Sequence, residues 1–135
     1  MQRGSKLMKE LKTGLTATVS ETVLYTNTAS ALGSGLLDVY ATPAMVALME
    51  KAAVAAIQPF LEETEGSVGI KMNISHDSAT LPGKIVSATA ELTAIDGRRL
   101  VFSVSARDEY GPIGQGIHER FIINNEKFLA KLKSK

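Results

Sequence analysis

The stretch from Thr42 to Ile57, TPAMVALMEKAAVAAI, constrains this chain more than any other, because its only charges are Glu50 and Lys51. Thr42 is suited to cap a helix and Pro43 to occupy its first position, where a missing N–H costs nothing. A helix with no wide polar face is expected to be buried. Successive helical residues point about 100° apart, so Lys51 can run to the surface while Glu50 turns inward beside Val46, Ala53 and Val54. A carboxylate walled in by Met, Val, Leu and Ala needs a partner or a proton. Desolvation also moves a carboxylate toward the range where it serves as a general acid or base, which makes Glu50 the first functional candidate. The competing reading puts Glu50 at the helix rim in a surface pair, since acids are seldom fully buried.

The rest of the chain alternates as strands do. Leu15 to Thr28 is rich in Val, Tyr and Thr, and its first two-thirds read as a strand. The small, Gly-rich NTASALGSGLLDVYA that follows reads as a loop of the kind that covers sites, with a brief strand over Asp38 to Ala41. Pro59 predicts a kink or an end to the helix. From Ser67 to Ser75, Val68, Ile70, Met72 and Ile74 share one face, Gly69, Lys71, Asn73 and Ser75 the other, and His76 continues the apolar face. On this pattern alone His76 is a satisfied core residue or a catalyst. Lys84 to Ala94 places Val86, Ala88, Ala90 and Leu92 on one face, and Asp96-Gly97 signals a hairpin into Leu100 to Ala106. In Ile113 to Ile123, Ile113, Ile117, Phe121 and Ile123 oppose Gly114, Gly116, His118, Arg120 and Ile122. The tail EKFLAKLKSK reads as a short basic amphipathic helix or a frayed end. Residues 1–8 read as an appended or poorly ordered N-terminus and 9–135 as one domain.

One apolar helix followed by long, hairpin-linked antiparallel strands is an α+β pattern, and wrapping the sheet around the helix buries it most economically. That is the hot-dog fold. A single unit leaves sheet edges open, which favours a homodimer. At 135 residues the chain is long enough to bury about two-thirds of its unfolded surface. Its formal charge of +1 gives no argument for a nucleic-acid or membrane partner. With no cysteine, thiolate chemistry and disulfides are excluded, which fits a cytoplasmic protein. No apolar run reaches the roughly 18 residues of a membrane span. Two distant histidines do not suggest a metal site, and no cofactor is implied.

Four blocks in order, DVYATPAMVALMEKAA, VGIKMNISHDSATLPG, ELTAIDGRRLVFSVSARD and IGQGIHERFIINNEKFLAK, resemble the fluoroacetyl-CoA thioesterase family of hot-dog proteins from about residue 15 onward. The resemblance implies hydrolysis of coenzyme A thioesters by a homodimer with its sites near the subunit interface. It also implies catalytic roles for Thr42, Glu50 and His76. Glu50 would act as base or nucleophile, His76 would move protons, and the helix start would meet the oxyanion; Thr42 also has its competing explanation as a cap. By the same resemblance Gly69 lies where substrate passes close to backbone, and Gly33 and Leu36 stand at lid positions that are aromatic in the fluoroacetyl-specific member. His118 and Arg120, on one strand face beside two glycines, are substrate-binding candidates, with structural pairing the stronger reading. Arg98 and Arg99 suit coenzyme A phosphates or a solvated pair. The altered lid, and Asp77-Ser78 after His76, predict an open or flexible lid and a thioesterase without strong fluoroacetyl preference. A non-catalytic acyl-CoA binding protein and a hot-dog enoyl-CoA hydratase are the alternatives.

Overall fold

The computed structural model describes residues 10–135; the expectation for residues 1–8 lies outside them. The elements are β1 (Thr16–Thr22), α1 (Ala29–Leu32), α2 (Thr42–Ile57), β2 (Glu65–His76), β3 (Ile85–Asp96), β4 (Arg99–Asp108), β5 (Gly111–Asn124) and α3 (Asn125–Lys133). The strands form one antiparallel sheet in the order β1-β3-β4-β5-β2, and α2 packs mainly over β1 and β3. The brief strand expected at Asp38 to Ala41 reduces to a single bridge, Thr28 to Tyr40. The tail is a helix capped by Asn124, whose side chain accepts from the Lys127 N–H at 3.0 Å. No helix among the described residues is long and apolar enough to cross a membrane.

The start of α2 differs from expectation. Ala41 is the cap, its carbonyl accepting from Met45 N–H at 3.0 Å. Thr42 is therefore the first helical residue and Pro43 the second, and the Thr42 hydroxyl caps nothing. At the other end, α2 stops at Ile57 and a single tight turn, Gln58–Phe60, carries Pro59.

Nor is α2 buried all round. Ala44, Met45, Leu48, Met49, Ala52, Ala53, Ala56 and Ile57 are buried, but Ala47, Lys51 and Ala55 form an exposed row. Between the two lies a half-buried shoulder of Val46, Glu50 and Val54, spaced four apart and so aligned on one face. The Glu50 side chain is 40% exposed, which corrects the expectation of a walled-in carboxylate and matches the rim alternative.

The hairpins follow the sequence. Val86, Ala88, Ala90 and Leu92 of β3 and Leu100, Phe102, Val104 and Ala106 of β4 are all buried. Gly97 takes the positive φ of 62° that the tight turn requires.

β2 departs from simple alternation. Its register against β5 slips between Gly69 and Lys71: Gly69 pairs with Arg120, yet Met72 pairs with His118. Three steps on β2 oppose two on β5, which is a bulge at Ile70. Ser67, Gly69, Met72, Ile74 and His76 therefore share the inner face, while Ile70 is 51% exposed. On β5 the inner face is the one bearing His118, Arg120 and Ile122, all buried; Ile117 and Phe121 point outward.

Two glycines of β5 let these layers close. A Cβ on Gly114 would lie 2.7 Å from Met45 Cε, and one on Gly116 would lie 2.2 Å from the Asn73 carbonyl oxygen and 2.6 Å from Ile74 Cα. The second clash is with backbone that has nowhere to move. Gly116→Ala is expected to destabilise the fold by about 1–3 kcal/mol, measured by urea denaturation; an unchanged midpoint would show that β2 and β5 are not this closely apposed.

Candidate functional site

The sequence-predicted residues fall into two clusters. In the first, Thr42 at the start of α2 meets His76 at the end of β2, with Thr42 Oγ1 2.8 Å from His76 Nδ1. The imidazole also stands edge-on to Tyr40, ring centroids 6.5 Å apart. The Tyr40 hydroxyl is turned away and donates to Glu21 Oε2 on β1 at 2.5 Å. Burial, then the Glu21 carboxylate, push the Tyr40 phenol far above its usual range, so it stays protonated and holds the ring in place. His76 Nε2 is buried and has no hydrogen-bond partner among the described residues. Burial pushes the His76 pKa below 6.5, against the opposing pull of a Ser78 backbone group and Asp77.

Beside this pair is an open cavity of about 220 Å³, lined by Ala29, Ser34, Val39, Tyr40, Thr42, His76, Ser78 and Ala79. Its roof is the segment from α1 to Tyr40, pinned by Ala29 N–H to Val39 O (2.8 Å) and Ser30 N–H to Leu37 O (3.1 Å), and by the Ser30 hydroxyl on Asp38. Gly33, with φ 74°, ends α1, and Leu36 is 95% exposed. Neither lines the cavity. The segment is tied at its base, and the wall-forming residues Ala29, Ser34 and Val39 were not identified from sequence. Nothing in their types distinguishes them from ordinary loop residues.

The second cluster gathers Glu50 from α2, Gly69 from β2, and His118 and Arg120 from β5. Arg120 Nη1 donates to Glu50 Oε2 at 3.1 Å. A Cβ on Gly69 would lie 2.5 Å from that same oxygen, so the absence of a side chain there is what admits the carboxylate. Arg120 is further held by Ser67, through Nε to Oγ at 2.8 Å and Nη2 to the carbonyl at 2.9 Å. Ser67 was not singled out from sequence, because the bulge hides that it shares a face with Gly69.

Within one chain these clusters stay apart. Thr42 and Glu50 are about 12 Å apart along the helix at 1.5 Å per residue, and Gly69 and His76 about 23 Å along the strand at 3.3 Å per residue. Arg99 pairs with Glu119 at 2.9 Å and Asp96 at 3.4 Å, while Arg98 lies 3.8 Å from Glu65; both carry carboxylate partners in the surface arrangement. Among the described residues no three His, Cys, Asp or Glu side chains could hold a metal ion.

A helix cradled by a five-stranded antiparallel sheet defines the hot-dog fold. A hot-dog-like protein from Thermanaerovibrio acidaminovorans shares the fold, with a TM-score of 0.83, 23% identity and coverage of 92% of each chain. The chain belongs to the family described as fluoroacetyl-CoA-specific thioesterase, whose model matches residues 23–126. It is 50% identical over 98 residues to the fluoroacetyl-CoA thioesterase of Streptantibioticus cattleyicolor, covering 73% of this chain and 70% of that protein. A solved fluoroacetyl-CoA thioesterase superposes with a TM-score of 0.87 at 41% identity, covering 93% of this chain and 97% of the other.

Both inner-face histidines are pushed below 6.5, chiefly by burial, so both are neutral at pH 7. The expected kcat/KM profile is flat from about pH 7 to 8 and falls on the acid side, with its inflection below the ordinary histidine value. Stability follows the same sign: the unfolded chain binds protons near 6.5 that the fold refuses, so stability is lost as pH drops through this window. An acid limb centred above pH 7 in the pH–rate profile would contradict the assignment.

Proposed function

We propose that this acyl-CoA thioesterase hydrolyses its substrate at a site built from both clusters, one supplied by each of two copies of the chain. The observation that carries the proposal is the Thr42–His76 hydrogen bond at the mouth of the cavity, a hydroxyl and a base within reach of each other. The acyl group enters the cavity, and its carbonyl oxygen faces the positive end of α2, whose first N–H groups have no helical partner. Water is added at the acyl carbon, the carbon–sulfur bond breaks, and coenzyme A leaves as the thiol with the proton delivered through His76. Thr42 orients the imidazole and the incoming oxygen. Glu50, with Oε2 held by Arg120, keeps Oε1 to act on the acyl carbon through water or directly.

Glu50 reaches the partner's cavity by way of β2, which is an edge of the sheet. In an antiparallel β2–β2 pairing the residue numbers of opposed positions have a constant sum. A two-fold axis relating two such strands turns the Gly69 end of one copy toward the His76 end of the other. The same axis brings the partner's Glu50 toward Thr42, and the half-buried shoulder of α2 is covered in the process.

The cavity also indicates the acyl group. Ala29, Ser34, Val39 and Ala79 line it with small side chains and leave it wide. Acyl groups longer than acetyl therefore suit it, without strong selection for fluorine.

Thiol release should be measured from acetyl-, fluoroacetyl-, butyryl-, hexanoyl- and benzoyl-CoA. Turnover is expected with a longer acyl group ahead of acetyl, and Glu50→Gln and His76→Ala are each expected to lower it at least about a hundredfold. A large fluoroacetyl-over-acetyl preference would overturn the acyl assignment, and no release from any substrate would overturn the activity.

Mixing tests the shared site. Inactive Thr42→Ala and Glu50→Gln chains, unfolded and refolded together, place one intact site in each mixed dimer and should recover about a quarter of parental activity. No recovery from dimers shown to be mixed would place both clusters' work within one chain.

A further inference from the structure

The hydrogen bonds around His118 fix its protonation state. Nδ1 lies 2.8 Å from the Lys71 carbonyl oxygen, and a carbonyl only accepts, so Nδ1 carries the proton. Nε2 lies 3.1 Å from Arg120 Nη1, and a guanidinium only donates, so Nε2 offers its lone pair. Both neighbours require the same neutral tautomer. The ring is 1% exposed and stacks on Phe102 of β4, centroids 6.1 Å apart at 29°.

That lone pair completes the set of acceptors around Arg120. Nε and Nη2 go to Ser67, and Nη1 is divided between Glu50 Oε2 and His118 Nε2. Four of the five guanidinium N–H groups are thereby assigned, and the fork has one rotational setting. The charged groups facing His118 are Glu50 from α2 and Arg120 and Glu119 from β5; β2 presents only the Lys71 carbonyl and β4 only the Phe102 ring. An imidazolium at this place would lose its acceptor role and stand 3.1 Å from a second cation.

We propose that His118 is a positioning residue, a permanently neutral acceptor that fixes the Arg120 fork and through it sets the Glu50 carboxylate in one orientation over Gly69. Its effect on turnover rests on the thioesterase reading above; its tautomer and its hold on Arg120 do not. The role separates His118 from substrate contact, since both of its nitrogens are engaged by protein.

Nitrogen NMR of the labelled protein at pH 7 tests the tautomer. The Nδ1–H neutral form is expected, with Arg120 Nη–H signals resolved by slow guanidinium rotation; an Nε2–H tautomer or an imidazolium would overturn the proposal even if no substrate turned over. In the kinetic arm, His118→Gln keeps an acceptor near the Nε2 position, and His118→Phe keeps the ring volume without one. The Phe variant is expected to lose about tenfold to a hundredfold in kcat, with KM changed less than about threefold and the Arg120 signals averaged, while Gln retains most of both. A folded Phe variant with parental kcat, or equal losses in Phe and Gln, would show that the imidazole only fills space. If Phe fails to fold, the Gln variant decides alone: resolved Arg120 signals with near-parental kcat uphold the role, and their loss overturns it.

Discussion

Close approach of α2 to the sheet is the constraint on which the rest depends. It is achieved with small residues: Ala44, Ala52, Ala53 and Ala56 on the helix and Ala88, Ala90 and Ala106 on the strands, all buried, with Gly114 making room for Met45. Because α2 packs mainly over β1 and β3, the β5–β2 end of the inner face is less fully covered by apolar side chains. That is where His118, Arg120, Ser67 and Gly69 lie. A polar network can exist inside this sheet because each member finds partners there, as buried polar groups must. Arginine suits the position in a way lysine would not, since its planar fork serves Ser67, Glu50 and His118 at fixed angles while an ammonium offers three donors on a flexible stem.

Much of this was legible in the sequence. The helix from Thr42 to Ile57, the alternation in β3 and β4 and the Asp-Gly turn rest on local spacing, and local spacing survives folding. The inner face of β5 was harder to read, because it carries His118 and Arg120 while Ile117 and Phe121 face out. Hydrophobicity assigns faces only where the buried side is apolar, and here the buried side is a polar network. Glu50 was placed inward on the same logic and lies instead on a shoulder, where the helix surface turns from the sheet toward solvent. Its need for a partner was nevertheless apparent, since a lone carboxylate on so apolar a helix is costly without one, and Arg120 is that partner.

Thr42 shows a different limit. A threonine before a proline at a helix start reads as a cap, and the chain instead caps with the Ala41 carbonyl alone, leaving the hydroxyl for His76. Capping would hold Oγ1 against the helix's own N–H groups. Releasing it leaves those N–H groups and the hydroxyl at the same end of the cavity, a geometry that sequence spacing does not distinguish from an ordinary cap.

The bulge at Ile70 lets one strand serve both clusters. Gly69 and His76 are seven residues apart, and in a regular strand an odd separation places two residues on opposite faces. Were β2 regular, His76 on the inner face would send Gly69 and Ser67 outward, and Arg120 would lose the side chain and carbonyl that hold it. One inserted residue shifts the phase, so that Ser67, Gly69, Met72, Ile74 and His76 all look inward. The insertion cannot be read from VGIKM, because Val68, Ile70 and Met72 imitate an unbroken apolar stripe. A one-residue change of phase, fixed by pairing with β5 across the sheet, thus decides that a single strand can carry the imidazole at one end and the glycine beside the carboxylate at the other.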